Sequence, residues 1–152
     1  MNPSATIDGL PVELRAGDTI LDAACRLGID VPTLCHQPKL ALEGNCRVCL
    51  VEVEGEERPH AACHTPVTAG MSVRTASARL YQLRRDILGL ILGEHAEGRF
   101  AANERGTEFE GLLQRFDVRR SPFGHHRRAA AIDDSVSRLT VSACRDRASS
   151  PD

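Results

Sequence analysis

The chain has 152 residues and a formal net charge of −2, so its overall balance gives no case for nucleic acid as a partner. Hydrophobic residues make up 41%, enough for one domain with an appendage, while 3% aromatics and no Trp require an aliphatic core. The charge is uneven, with 6 basic against 10 acidic side chains in residues 1–78, 6 against 7 in 79–118, and 7 against 4 in 119–152. An acidic front and a basic tail predict different contact surfaces.

The start, Met1-Asn2-Pro3-Ser4, lacks a basic region followed by an apolar one, as a secretory signal would need. The longest apolar stretch, Ile87 to Leu92, is too short to cross a bilayer. A cytoplasmic chain with reduced thiols is therefore expected. Its six cysteines then point to metal or redox chemistry rather than to disulfides.

Thr6-Ile7 and Val12-Glu13-Leu14 read as two short strands, with Asp8-Gly9 as the hairpin turn between them. Thr19-x-x-Asp22 has the form of a capping box and starts a helix near Ile20. Ile20, Leu21, Ala24 and Leu27 give that helix its apolar face, and Gly28 is placed to end it. Cys25 lies inside the helix and is expected to act as a small buried hydrophobe. Pro32 and Pro38 flank Cys35 and argue against helix there. Residues 36–48 read as a loop with Gly44-Asn45 just before Cys46. Leu50 to Val53 is a half-buried strand, Gly55 turns the chain, and Arg58 to Cys63 returns as a second strand with Pro59 marking a sheet edge or strand start. Val73-Arg74-Thr75 is the last strand.

Ser77 can cap a longer helix that runs to about His95. Leu80, Leu83, Ile87, Leu90 and Ile91 recur at helical spacing, and Tyr81, Leu88 and Leu92 widen the stripe, so part of this helix is a candidate partner surface. Residues 98–107 read as loop and Glu108 to Phe116 as a short helix. Beyond Val118 no periodicity is sustained; Arg119-Arg120, His125-His126 and Arg127-Arg128 form a basic stretch expected to be a flexible tail.

Four cysteines, Cys35, Cys46, Cys49 and Cys63, are spaced C-x10-C-x2-C-x13-C. Thiolates are the usual ligands of [2Fe–2S] clusters, two to each iron. Two intervening residues let Cys46 and Cys49 face one side of a tight turn, and glycine lets backbone N–H groups bend inward toward sulfide. A structural zinc site also uses four cysteines, although usually as two C-x2-C knuckles, and only one such pair exists here. A thioredoxin-type pair would open a helix, whereas Cys46 and Cys49 lead into a strand. A Rieske centre needs histidine ligands, and His36 and His64, each adjacent to a cysteine, give no convincing geometry for one. His36, His60 and His64 read as surface or supporting residues rather than ligands.

The series Gly17-Asp18-Thr19-Ile20-Leu21-Asp22-Ala23-Ala24, Pro32-Thr33-Leu34-Cys35, Gly44-Asn45-Cys46-Arg47-Val48-Cys49-Leu50-Val51-Glu52-Val53-Glu54-Gly55 and Ala62-Cys63 resembles a known domain. It is the N-terminal [2Fe–2S] ferredoxin-like domain of the large iron–sulfur subunit of complex I. Similar domains occur in NAD-dependent formate dehydrogenases, iron-only hydrogenases and the diaphorase part of NAD-reducing hydrogenases. The resemblance covers residues 5–95. It implies that Cys35 and Cys46 share one iron, and Cys49 and Cys63 the other. The next module of that family holds a [4Fe–4S] cluster through H-x3-C-x2-C-x5-C. Here His95 stands at the histidine position, but Arg99, Ala102 and Glu108 stand at the cysteine positions. Such clusters select thiolate, so the segment is expected to keep the scaffold without its cluster, with His95 as a remnant. Cys144 is left alone, as a free thiol or an interface residue.

The expected fold is α+β. A β-grasp [2Fe–2S] ferredoxin-like domain spans residues 1–78, a helical module without its cluster spans 79–118, and the basic tail spans 119–152. The expected function is one-electron transfer with one [2Fe–2S] cluster and no catalytic site of the chain's own. The chain would serve as a subunit or shuttle of a multi-subunit oxidoreductase, with a flavin/NADH or catalytic subunit as partner and no direct membrane insertion. The alternatives are an iron–sulfur regulatory or assembly protein and a zinc-stapled interaction module.

Overall fold

In a computed structural model, residues 4–37, 44–94 and 106–124 are described. The chain divides into two compact units, with the boundary between Gln82 and Leu83.

The first unit is built on a mixed sheet of five short strands. β1 (Ser4–Ile7) and β2 (Leu10–Glu13) form the hairpin expected from Asp8-Gly9, with Ile7 opposite Leu10. Asp8 and Gly9 take φ of 50° and 80°. Left-handed values at both turn residues match the twist of the flanking strands, and Asp and Gly adopt them at least cost. The Asp8 carboxylate then accepts from the Thr75 N–H at 2.8 Å and from the Thr75 hydroxyl, tying the turn to the segment that follows β5 (Ser72–Arg74), the strand next to β1.

α1 (Ile20–Arg26) begins at the predicted capping box. The Thr19 hydroxyl accepts from the Asp22 N–H at 3.2 Å, and the Asp22 carboxylate accepts from the Thr19 N–H at 3.0 Å. Two backbone donors that the helix leaves unpaired are thus satisfied. Its end is a Schellman motif, with Gly28 N–H donating to the Cys25 carbonyl and Ile29 N–H to that of Ala24, both at 3.0 Å. Ile20, Leu21, Ala23 and Ala24 are buried in a core shared with Ile7, Val12, Val51 and Val73.

β3 (Leu50–Val53), β4 (His60–Ala61) and β5 (Ser72–Arg74) complete the sheet in the order β2-β1-β5-β3-β4, with β1 and β5 parallel. β4 is much shorter than the expected Arg58–Cys63. Pro59 supplies no N–H to a ladder, and the chain turns back at Ala61, where the His64 and Thr65 N–H groups both donate to the Ala61 carbonyl.

α2 (Ala78–Glu94) starts where Ser77 caps it, the Ser77 hydroxyl accepting from the Leu80 N–H at 3.1 Å, and it runs through the boundary between the units. In the second unit it is joined by α3 (Glu108–Arg115), whose cap is Thr107. Leu88, Leu92, Leu112, Leu113, Phe116 and Val118 are buried there. Asp117, at φ 50°, closes α3 with a second Schellman motif, in which the Val118 N–H reaches the Leu113 carbonyl at 2.8 Å. Leu90, expected on the apolar face of α2, is 53% exposed. The buried face instead carries Leu88 and Leu92 with Gly89 and Gly93, against which residues 121–124 pack. A Cβ on Gly93 would lie 2.9 Å from the Gly124 carbonyl oxygen, and one on Gly89 2.9 Å from Pro122 Cδ. His95, Arg99, Ala102, Cys144 and the tail from residue 125 lie outside the described residues.

Candidate metal centre

Each of the four cysteines is placed by backbone structure. Cys49 ends the loop that leads into β3, and Cys63 lies in the turn after β4. The β3–β4 hairpin aligns the two, since Leu50 pairs with Ala61 and the Ala62 N–H donates to the Cys49 carbonyl at 3.1 Å. The first turn of α1 holds the same corner: the Leu21 N–H donates to the Ala62 carbonyl and the Ile20 N–H to that of Thr65, both at 2.9 Å. The capping box and the hydrophobic burial of α1 therefore fix the peptide that bears Cys63. On the other side, Gly44 is buried at φ 62°, 3.5 Å from His64 Cβ by the position a Cβ would occupy, and Arg47 takes φ 58°. Two left-handed residues within four fold the 44–49 loop over the 63–64 turn.

The thiols associate in two pairs. Cys46 hydrogen-bonds to Cys35, and burial pushes its thiol up to about 11. Cys63 donates to Cys49, which brings the Cys49 thiol down to about 6 and holds the Cys63 thiol well above the ordinary range. Cys35 and Cys46 also act on Cys63 through their charge, so the pairs are neighbours. Backbone donors point at the sulfurs. The N–H groups of Val48 and Cys35 face Cys46, and those of Ala62 and Cys63 face Cys49. Among the described residues, no group of three or more His, Cys, Asp or Glu converges as a single metal ion would require. Two thiol pairs ringed by inward N–H groups are a donor set suited to two irons bridged by sulfide.

Burial differs between the pairs. Cys49 and Cys63 are 1% and 3% exposed, whereas Cys35 and Cys46 are half-exposed. His64 is exposed, and His36 and His60 are half-buried. All four cysteines carry free thiols. Cys25 departs from expectation. It is half-buried against the core rather than fully buried. Spacing alone also did not reveal the inward Val48 and Ala62 N–H groups; the glycine at 44 was the available signal.

Residues 4–78 match the family of 2Fe-2S iron-sulfur cluster binding domains, and this segment belongs to that family. The chain is 44% identical over 124 residues to the NADP-reducing hydrogenase subunit HndD of Solidesulfovibrio fructosivorans, an alignment covering 78% of this chain and 21% of that protein. It is 49% identical over 92 residues to the NADPH-Fe(3+) oxidoreductase subunit alpha of Geobacter sulfurreducens, covering 60% and 11%. With the NADH-ubiquinone oxidoreductase 75 kDa subunit of Reclinomonas americana it shares 40% over 89 residues, covering 59% and 13%. The chain thus spans about a fifth or less of these relatives. Among solved structures, a chain of an NAD+-reducing [NiFe]-hydrogenase in the H2-reduced state superposes with a TM-score of 0.74 at 28% identity, covering 89% of this chain and 57% of that one. The α+β ferredoxin-like fold and the 2Fe-2S domain are those expected from the sequence.

Proposed function

We propose that Cys35, Cys46, Cys49 and Cys63 hold one [2Fe–2S] cluster, and that the chain transfers electrons singly within a multi-subunit oxidoreductase. Its setting would be a hydrogenase, formate dehydrogenase or NADH dehydrogenase type of assembly. The observation that carries this reading is the two thiol pairs, each with backbone N–H groups aimed at it. Bound there, the cluster supplies a reversible one-electron change that requires no proton transfer. The chain's own part is to hold the thiolates, exclude water from Cys49 and Cys63, and present N–H donors to sulfur. Partners would be a flavin/NADH or catalytic subunit, as the named relatives suggest, and the setting cytoplasmic. Among the described residues no helix is long and apolar enough to cross a membrane.

The test is iron and acid-labile sulfide analysis of anaerobically prepared protein, with each of the four cysteines changed to Ala in turn. Two irons and two sulfides per chain, lost in every variant, are expected. Stoichiometric zinc without sulfide would reject the proposal. Retention of both irons in the Cys35→Ala variant would reject the ligand set.

A further inference from the structure

The three ligand-bearing stretches described, residues 33–37, 44–49 and 61–66, contain no carboxylate and one formal charge, Arg47. Their other titratable rim groups are the imidazoles His36 and His64. Residues 1–78 as a whole carry 6 basic and 10 acidic side chains, so these stretches are poorer in acid than the domain around them. Glu54, Glu56 and Glu57, all exposed, lie past the far end of β3, about 13 Å of strand from Cys49.

Arg47 is exposed and sits between two ligands, at φ 58°. A left-handed backbone is uncommon for arginine and is adopted more readily by Gly, Asn or Asp. The loop needs that conformation, but it does not need an arginine side chain to reach it. Arg47 lies on the same loop as Cys46, which like its partner Cys35 is half-exposed, whereas the Cys49/Cys63 pair is closed off. Electron transfer weakens steeply with distance, so a partner gains most by seating over the half-exposed pair.

We propose that the redox partner docks over Cys35 and Cys46, and that it presents an anionic surface there to Arg47. The inference rests on the four-cysteine reading above. It assigns to Arg47 the recognition of the partner rather than the construction of the loop. The whole chain's negative charge would by itself favour a cationic partner; the local charge reverses that preference at the point of contact.

The test compares Arg47→Asn and Arg47→Asp, both compatible with the left-handed backbone. Arg58→Asp, an exposed site in the turn between β3 and β4, makes the same change in net charge at a distance. Iron and sulfide content is measured first. The protein is then reduced and oxidised in stopped flow by hexacyanoferrate(III) or by hexaamminecobalt(III). Each oxidant accepts one electron from the reduced protein and becomes iron(II) or cobalt(II). At low ionic strength Arg47→Asp should slow the anionic oxidant by about three- to tenfold and accelerate the cationic one, with Arg47→Asn between, and the differences should vanish near ~1 M salt. The midpoint potential should fall in the same order, because a cation beside the site stabilises the more negative reduced state.

Equal effects of Arg47→Asp and Arg58→Asp would overturn the proposal. So would shifts of the same sign with both oxidants, or persistence of the effect at high salt. Loss of the cluster in both Arg47 variants, with the natural chain fully loaded, would also overturn it, since Arg47 would then be needed to build the loop. An unloaded natural chain would instead reject the four-cysteine reading itself.

Discussion

Cys49 and Cys63 behave as one proton-sharing unit before any metal binds. Cys49 holds its charge because Cys63 donates to it, so the pair should lose its first proton near pH 6 and its second far higher. In metal-free, reduced protein the ultraviolet thiolate absorbance should gain about one thiolate near that pH, and Cys63→Ala should move the step up toward the ordinary thiol range. Because the folded pKa is lowered at Cys49, the charged form is favoured at neutral pH and lost as pH falls through about 6. Loading of iron should weaken over the same interval, since only thiolate binds. A metal-free protein with no thiolate below pH 8 would contradict the pairing. The four cysteines proposed as ligands stand out in the sequence because a C-x2-C pair and outlying cysteines form a strong pattern.

Among the elements, α1 has the most direct hold on the site, through its first-turn hydrogen bonds to residues 62 and 65. Thr19→Ala removes one side of the capping box and should cost about 1 kcal/mol of stability, read by chemical denaturation. It should also make the bound cluster easier to extract with chelator; unchanged stability would mean that the cap does not anchor α1. The box was readable because Thr and Asp three residues apart ahead of an apolar run have few other uses. The buried face of α2 was not readable. Leucine or isoleucine occupies positions 80, 83, 87, 88, 90, 91 and 92, so more than one stripe satisfies helical spacing. The choice was made by Gly89 and Gly93, which admit residues 121–124 at distances no side chain permits. Gly93→Ala should therefore destabilise the second unit by about 1–3 kcal/mol, because besides the Ser121 hydroxyl the added methyl would meet the Gly124 backbone oxygen, which cannot rotate away. An unchanged melting temperature would show that the 121–124 segment does not pack there.

For the whole molecule, the sheet, α1 and the four cysteines proposed as ligands fall before the boundary at Gln82. Residues 1–82 alone should accordingly take up iron and sulfide to the same stoichiometry as the full chain. Failure to do so would show that the site depends on the remainder. The fold of the first unit was legible because turn, cap and strand signals all agreed with one another. The domain division proposed from sequence at residue 78 turns on where a continuous helix belongs, and hydrophobic periodicity does not mark a boundary inside a helix.

The most direct test of the central claim is electron paramagnetic resonance of anaerobically purified full-length protein, before and after dithionite. The account predicts silence when oxidised and a single spin-half signal, integrating to one per chain, when reduced. A sample silent in both states and containing zinc would contradict it, and a second, fast-relaxing signal would contradict the reading of one cluster.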